Sequence, residues 1–281
     1  MTFKWVFSCL IFFTLHMVFG QDKEDFLWPN GAKSAICLTY DDGLSSHVNT
    51  VAPLLSKYNF KATFYPTLSS VSIREEIKKW KALAKAGHEL GNHTVYHPCR
   101  KSREGMEWVK DYQDLDRYSL NQIVDEIELA NSFLLAIDGK KDRTFAYPCA
   151  HFKASGISYK DSLFKRFIGA RGSSDQIKLM VDSQKIDLFN VPSWAPNQHT
   201  AAELIAYIDE VIANETLSTL TFHGVGAEYL SISKDTHEEM LKYLDLNRDK
   251  IWVATFQEAA NYLRLMPVSY THLTLPTIYS V

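Results

Sequence analysis

Short apolar runs alternate along this chain with longer stretches whose apolar residues recur every three or four positions, the pattern of strands and amphipathic helices in alternation. Ala35-Ile36-Cys37-Leu38 opens the first predicted strand, which ends at Tyr40, and Val48 to Tyr58 follows as a helix with Val51, Leu54, Leu55 and Tyr58 on one side. Ala62 to Tyr65 is a second strand, Ile73 to Ala86 a lysine-rich helix closed by Gly87, and His88 to Gly91 a third strand. Pro98 to Tyr118 is a polar loop longer than a tight connection needs, which suggests a lid or a rim. Ser119 with Gln122 three residues on forms a capping box for a helix running to about Asp138. Strands are then expected at Thr144 to Tyr147, Phe167 to Ala170, Leu188 to Val191, Ser218 to Phe222 and Ile251 to Thr255. Helices are expected at Ala201 to Ala213, near Thr236 to Leu246 and from Gln257.

This is βα alternation without an internal linker, repeat or low-complexity tract. It predicts a single α/β domain with one parallel sheet, either closed into a barrel or open with helices on both faces. In both forms the functional residues gather at the C-terminal ends of the strands.

The two ends depart from this pattern. Lys4 precedes a nearly unbroken apolar segment, Trp5 to Phe19, and Val18-Phe19-Gly20 offers small residues at the positions a signal peptidase reads, so residues 1–20 are expected to be a cleaved secretory leader. The apolar run is short for a membrane span, and the expected location is secreted or periplasmic, without stable membrane insertion once the leader is removed. Residues 21–32 read as a polar linker and 33–266 as the folded domain. Val268-Ser269-Tyr270-Thr271-His272-Leu273 is what a DNA string resembling a library-preparation transposon end would encode, so 267–281 is expected to be a non-native tail.

At 281 residues and 46% hydrophobic composition the chain can bury a sizeable core, and a formal net charge of -3 argues against nucleic acid as a partner. Removing the leader leaves Cys37, Cys99 and Cys149, an odd number in a compartment that permits disulfides.

Chemistry enters at the strand ends. Thr39-Tyr40-Asp41-Asp42-Gly43 places two adjacent carboxylates where the first strand gives way to a loop, and Asp-Asp-Gly is equally good turn chemistry. Gly91-Asn92-His93-Thr94-Val95-Tyr96-His97 supplies two imidazoles four residues apart. In one helical turn both rings would point the same way, to hold a metal completed by Asp42. His88-Glu89 with His93 is one residue too long for a His-Glu-x-x-His site. Asn92-His93-Thr94 and Asn214-Glu215-Thr216 match glycosylation sequons by chance, the first because a glycan there would cover the metal. Leu220-Thr221-Phe222-His223-Gly224 ends an apolar strand on a histidine, which is either a core histidine or a proton donor opposite the metal.

In this order, Thr39-Tyr40-Asp41-Asp42-Gly43, His93-Thr94-x-x-His97 and Leu220-x-x-His223 resemble the first, second and fifth motifs of the polysaccharide deacetylases that share the NodB homology domain, carbohydrate esterase family 4. The match covers roughly Lys33 to Leu263. The resemblance implies a distorted (β/α) barrel of about seven parallel strands and metal-dependent removal of acetyl groups from sugars, most often from N-acetylglucosamine. It implies that Asp42, His93 and His97 hold Zn2+ or another divalent transition metal, that Asp41 is the general base and His223 the general acid, and that a backbone N–H at Cys149 steadies the oxyanion. Tyr147 and Trp194 are the candidate substrate contacts, with core packing as the other reading of Trp194.

The chain departs from the family at its third and fourth motifs. Ala146-Tyr147-Pro148-Cys149 lacks the arginine of Arg-x-Pro-Tyr, for which Arg171 is a candidate substitute, and Val191-Pro192-Ser193-Trp194 lacks the usual aspartate. The expected substrate is a glycan containing N-acetylglucosamine, such as chitin oligomers or peptidoglycan. O-acetyl ester cleavage, as on acetylxylan, and a glycan-binding pseudoenzyme are the alternatives. Cys99 and Cys149 should border one pocket, either joined as a disulfide or as separate buried thiols, with Cys37 buried and free.

Overall fold

The computed structural model describes residues 27–172 and 186–265. The expected leader, the first half of the linker and the expected tail lie outside these residues. Strand β1 (Ser34–Asp41) is buried along its whole length, as a parallel strand covered on both faces must be. Its second half pairs with β2 (Thr63–Tyr65), its first half with β9 (Ile251–Ala254), and nearly all of it with β8 (Leu217–Phe222) on the other side; every pairing is parallel. β2 continues to β3 (Glu89–Leu90), and β4 (Phe145–Ala146) pairs with β7 (Ala170–Arg171).

Single parallel bridges join these pieces into a ring. Asn92 meets Phe145, Arg171 meets Val191, and Trp194 meets Leu220 of β8. The resulting circuit of β1, β2, β3, β4, β7, the 191–194 segment and β8 is a distorted (β/α) barrel with seven walls. Several walls are two residues long or a single bridge, so the strands expected at 167–170 and 188–191 are shorter or shifted; Arg171 lies within β7 rather than after it. A small antiparallel hairpin, β5 (Lys153–Ala154) and β6 (Ile157–Ser158), stands off the barrel and carries no signal in the sequence pattern.

Helices pack outside. α1 (Ala52–Lys57) follows a single π-type turn, His47–Val51, and the helix expected over 73–86 is two, α2 (Val71–Glu75) and α3 (Ile77–Lys85), broken at Glu76. At the break the Glu76 carboxylate accepts hydrogen bonds from the Ser45 and Ser72 hydroxyls. α4 (Leu120–Asp138) begins at the Ser119–Gln122 capping box and ends on Gly139 at φ 72°, while α5 (Ala201–Ala213) begins at a second box, Thr200–Glu203. α6 (Lys234–Leu246) and α7 (Phe256–Leu265) complete the outer layer.

The main core lies between β1, β2 and β8 and the faces of α1, α3, α5 and α6. A second, around Phe145, Tyr147, Tyr159 and Phe167, fills the space under α4, and a third closes the barrel's N-terminal end around Trp28, Cys37 and Phe256. Trp28 stacks near Trp252 and Tyr262, so the stretch expected to be a linker is already packed at its last residues. Among the described residues no helix is long and apolar enough to cross a membrane.

Candidate metal centre and active site

At the C-terminal ends of the barrel strands a cavity of about 840 Å³ opens, lined by Asp41, Asp42, His93, His97, Tyr147, Cys149, Arg171, Thr221 and His223 among others. β1 delivers the two carboxylates in different directions. Asp41 is the last strand residue, whereas Asp42 turns into the left-handed region at φ 75°, a conformation aspartate tolerates better than most residues. The Asp42 N–H stays bonded to the Tyr65 carbonyl at 3.0 Å while its carboxylate swings toward the loop after β3.

That loop is not the helical turn expected from the spacing. Thr94 and His97 both have positive φ, 66° and 57°, and the segment is a compact non-helical bend. Buried acceptors hold it. Asn92 Oδ1 accepts from the Thr94 N–H, Thr94 Oγ1 from the His97 N–H, and Glu126 Oε1 from the N–H groups of Val95 and Tyr96. Asn92 is fully buried and its amide donates to Ile127 and Asn131, which leaves no room for a glycan. The bend still brings the rings of His93 and His97 together, 4.7 Å between centroids. Gly91 precedes it because a Cβ there would sit 2.1 Å from the Tyr65 ring.

The donor set suits a cation. His93 Nδ1 donates to the Ala146 carbonyl at 2.8 Å, which fixes the tautomer and turns the lone pair of Nε2 into the cavity. Asp42 Oδ1 is buried, has no hydrogen-bond partner, and lies 3.4 Å from His93 Nε2 and 3.3 Å from His97 Nε2. Three electron-pair donors thus converge on one point, an arrangement costly for the protein alone that a divalent ion would satisfy. Burial by itself would raise the Asp42 carboxyl, but the facing histidines outweigh it and hold the group well below the carboxylate range. Burial likewise pushes His97 down to about 4, while on His93 the two aspartates overcome burial and raise it.

Asp41 stands beside this cluster, with Oδ2 3.8 Å from His93 Nε2. The same oxygen is paired with Arg171 Nη2, and Arg171 Nη1 bonds Thr221 Oγ1, with Ser193 Oγ at 3.4 Å. Arg171, the candidate substitute for the missing third-motif arginine, thus reaches Asp41 from β7. Asp41 Oδ1 is buried without a hydrogen-bond partner. His223 follows β8, with Nε2 3.9 Å from Asp42 Oδ2; its carbonyl accepts from His47 Nε2 at 2.9 Å, which anchors the strand end.

Cys99 and Cys149 are joined by a disulfide with Cα atoms 5.8 Å apart, and Cys37 is a buried free thiol. The bridge ties the histidine loop to the Tyr147-Pro148-Cys149 segment, where Cys149 turns to φ 51° at the cavity wall. Tyr147 lines the cavity too, but its hydroxyl donates to the Phe189 carbonyl at 2.8 Å and its ring belongs to the second core. Of the two readings of Trp194, pocket aromatic or core packing, the structure shows the second. Its ring packs on Tyr207 and His199, at 4.4 and 5.0 Å between centroids, and Ser193 and Ala195 line the cavity instead. An extended segment alternates sides, and Trp194 has the outward parity.

Two contributors escape sequence reasoning. The long polar loop supplies Met106, Trp108 and Gln113 to the cavity wall, with the Trp108 ring 6.2 Å from that of His97. Tyr229, from the loop after β8, donates its hydroxyl to Asp42 Oδ2 at 2.8 Å, and burial together with Asp42 raises its phenol. Neither position lies at a strand end or in a recognisable spacing.

A seven-walled barrel with an Asp-His-His cluster at its C-terminal rim defines the class, and comparison with known proteins gives it a family. The polysaccharide deacetylase family model matches residues 29–163. The chain is 24% identical over 267 residues to a gellan lyase of Bacillus sp, covering 86% of this chain and 10% of that protein. It is 27% identical over 129 residues to the peptidoglycan-N-acetylmuramic acid deacetylase PdaA of Bacillus subtilis, 46% of this chain and 43% of that one. It therefore spans less than half the length of either relative. A Mycobacterium smegmatis structure described as a polysaccharide deacetylase superposes with a TM-score of 0.63 at 15% identity, covering 90% of this chain and 97% of that one, a likeness of fold. Residues 29–163 are thus similar to the polysaccharide deacetylases, and the fold is the NodB-like barrel of carbohydrate esterase family 4.

Proposed function

We propose that the protein is a metal-dependent hydrolase that removes acetyl groups from a carbohydrate, chiefly from the nitrogen of N-acetylated sugars. The observation that carries this reading is the buried, partnerless Asp42 Oδ1 facing two imidazole nitrogens, with an arginine-anchored carboxylate and a histidine on the same cavity wall. Asp42, His93 and His97 would hold the cation, Zn2+ or another divalent transition metal. When bound, such an ion supplies a Lewis acid that polarises the acetyl carbonyl and lowers the pKa of water.

The rest falls to the chain. Asp41 accepts a proton from the attacking water at Oδ1, the oxygen Arg171 leaves open, while the guanidinium holds the carboxylate in place. His223 protonates the departing sugar nitrogen at Nε2. The Cys149 N–H is the assigned donor to the developing oxyanion, supported by the position of Cys149 on the cavity wall. The cavity has the volume of a small-ligand site and can take a sugar unit. Peptidoglycan is the first polymer to test, because the Bacillus subtilis relatives are named for its N-acetylmuramic acid. An extracytoplasmic location is part of this reading, on the expectation that residues 1–20 are a secretory leader.

The test is acetate release from peptidoglycan, N-acetylglucosamine oligomers and acetylated xylan, before chelation, after it, and after Zn2+ is restored. Release that chelation abolishes and zinc restores is the expected result, and the preferred polymer separates amide from ester cleavage. No release from any of them by zinc-loaded protein would favour a glycan-binding role instead.

A further inference from the structure

The loop after β8 is built to place one side chain. A Cβ on Gly224 would lie 2.0 Å from the Ala227 carbonyl oxygen, so only glycine lets the chain fold back this closely. The turn is cinched by the Gly224 N–H on the Tyr229 carbonyl at 3.1 Å, the Gly226 N–H on the Ile232 carbonyl at 2.8 Å, and the Ser46 N–H on Glu228 Oε1 at 3.0 Å. Glu228 and Leu230, on either side of Tyr229, both take positive φ, 62° and 45°, which side chains other than glycine adopt at a cost. At their centre Tyr229 leaves half its surface in solvent, yet its hydroxyl reaches 2.8 Å from Asp42 Oδ2.

We propose that Tyr229 is a positioning residue for Asp42, its hydroxyl holding Oδ2 so that Oδ1 alone faces the nitrogens of His93 and His97. This rests on the cation-site reading of Asp42, His93 and His97, and it adds a group that the motifs do not contain. Two consequences follow from the geometry. A carboxylate held at one oxygen offers the cation a single-point contact with a fixed direction. The hydroxyl also occupies the oxygen nearest His223, whose Nε2 is 3.9 Å away, so Oδ2 is satisfied without drawing that imidazole from the leaving group.

The experiment compares wild type and Tyr229→Phe, which keeps the ring and removes only the hydroxyl. Zinc affinity is measured by competition with a chromophoric chelator, the visible spectrum of the Co2+-loaded protein reports Asp42 coordination, and the melting temperature of the cation-free chain reports folding. The expected result is a zinc Kd raised roughly 10- to 100-fold, the range for losing a group that orients a ligand. The cobalt spectrum should change and the melting temperature should not. A variant with wild-type zinc affinity and cobalt spectrum would overturn the role of Tyr229 while leaving the cation site intact. Weaker affinity that merely tracks a lowered melting temperature, with an unchanged cobalt spectrum, would also overturn it. A wild-type chain that binds no zinc would overturn it together with the cation site.

Discussion

Asp41 and Asp42 are neighbours in sequence to which the proposed function gives opposite duties, and the difference rests on what touches each oxygen. Asp42 faces two imidazoles and a tyrosine hydroxyl; Asp41 faces a guanidinium that is itself almost wholly buried. A buried pair of this kind is expensive to break from one side, because the remaining charge is left uncompensated. Arg171→Gln is therefore expected to cost about 3–5 kcal/mol of stability, with Arg171→Lys intermediate because a lysine lacks the planar fork that spans Asp41 and Thr221. Urea unfolding midpoints check both. The convergence of Asp42, His93 and His97, the proposed ligand residues, was legible because each is close in sequence to a strand end. Arg171 was only a candidate, since its pairing with Asp41 joins positions 130 residues apart. Trp194 was left open between pocket and core because its side depends on the parity of a segment that makes only single bridges.

At the scale of elements, loops rather than strands shape the cavity. The His93–His97 bend takes its form from Asn92, Thr94 and Glu126, not from helical hydrogen bonds, so the four-residue spacing gave the right neighbours by the wrong geometry. The Cys99–Cys149 bridge then fixes this bend against the segment after β4, across 50 residues of chain. Loop-closure entropy for that separation is on the order of 4 kcal/mol at most. Replacing both cysteines by serine is expected to lower stability toward that amount, measured by chemical denaturation. Peptide mapping without reduction should find the 99–149 pair linked in the wild type and Cys37 alkylatable only after unfolding. Charge and the presence of a long loop were readable in residues 98–118. The wall it builds with Met106 and Trp108 was not, because nothing in a polar loop's sequence says which residues turn inward.

For the whole molecule, βα alternation was enough to predict parallel strands with the site at their C-terminal ends, but not enough to choose barrel over open sheet. Ring closure rests on the bridges at Asn92, Arg171 and Trp194, too short to leave a periodic trace. The same compact interior governs the response to acid. Burial lowers His47 to about 4, His237 to about 3 and His88 to about 4, from an ordinary value of 6.5. Below pH 6.5 the unfolded chain binds protons that the folded chain refuses. The contribution of these three histidines to stability is thus full above 6.5 and falls as pH drops toward the folded values. Each fully buried histidine contributes a slope of about 1.4 kcal/mol per pH unit within its window. Unfolding midpoints of the cation-free chain should decline from pH 6.5 to 4, and His237→Gln should flatten the decline; a midpoint constant across that range would contradict it.

If Asp41 moves the proton while Asp42, His93 and His97 hold the cation, Asp41→Asn separates the two tasks. The measurement is acetate release from the best substrate by zinc-loaded wild type and variant, with bound zinc quantified in the same samples. About one zinc per chain is expected in both, with a rate reduced roughly 100- to 10,000-fold in the variant, the range for losing a positioned proton acceptor. Equal rates at equal zinc content would contradict it.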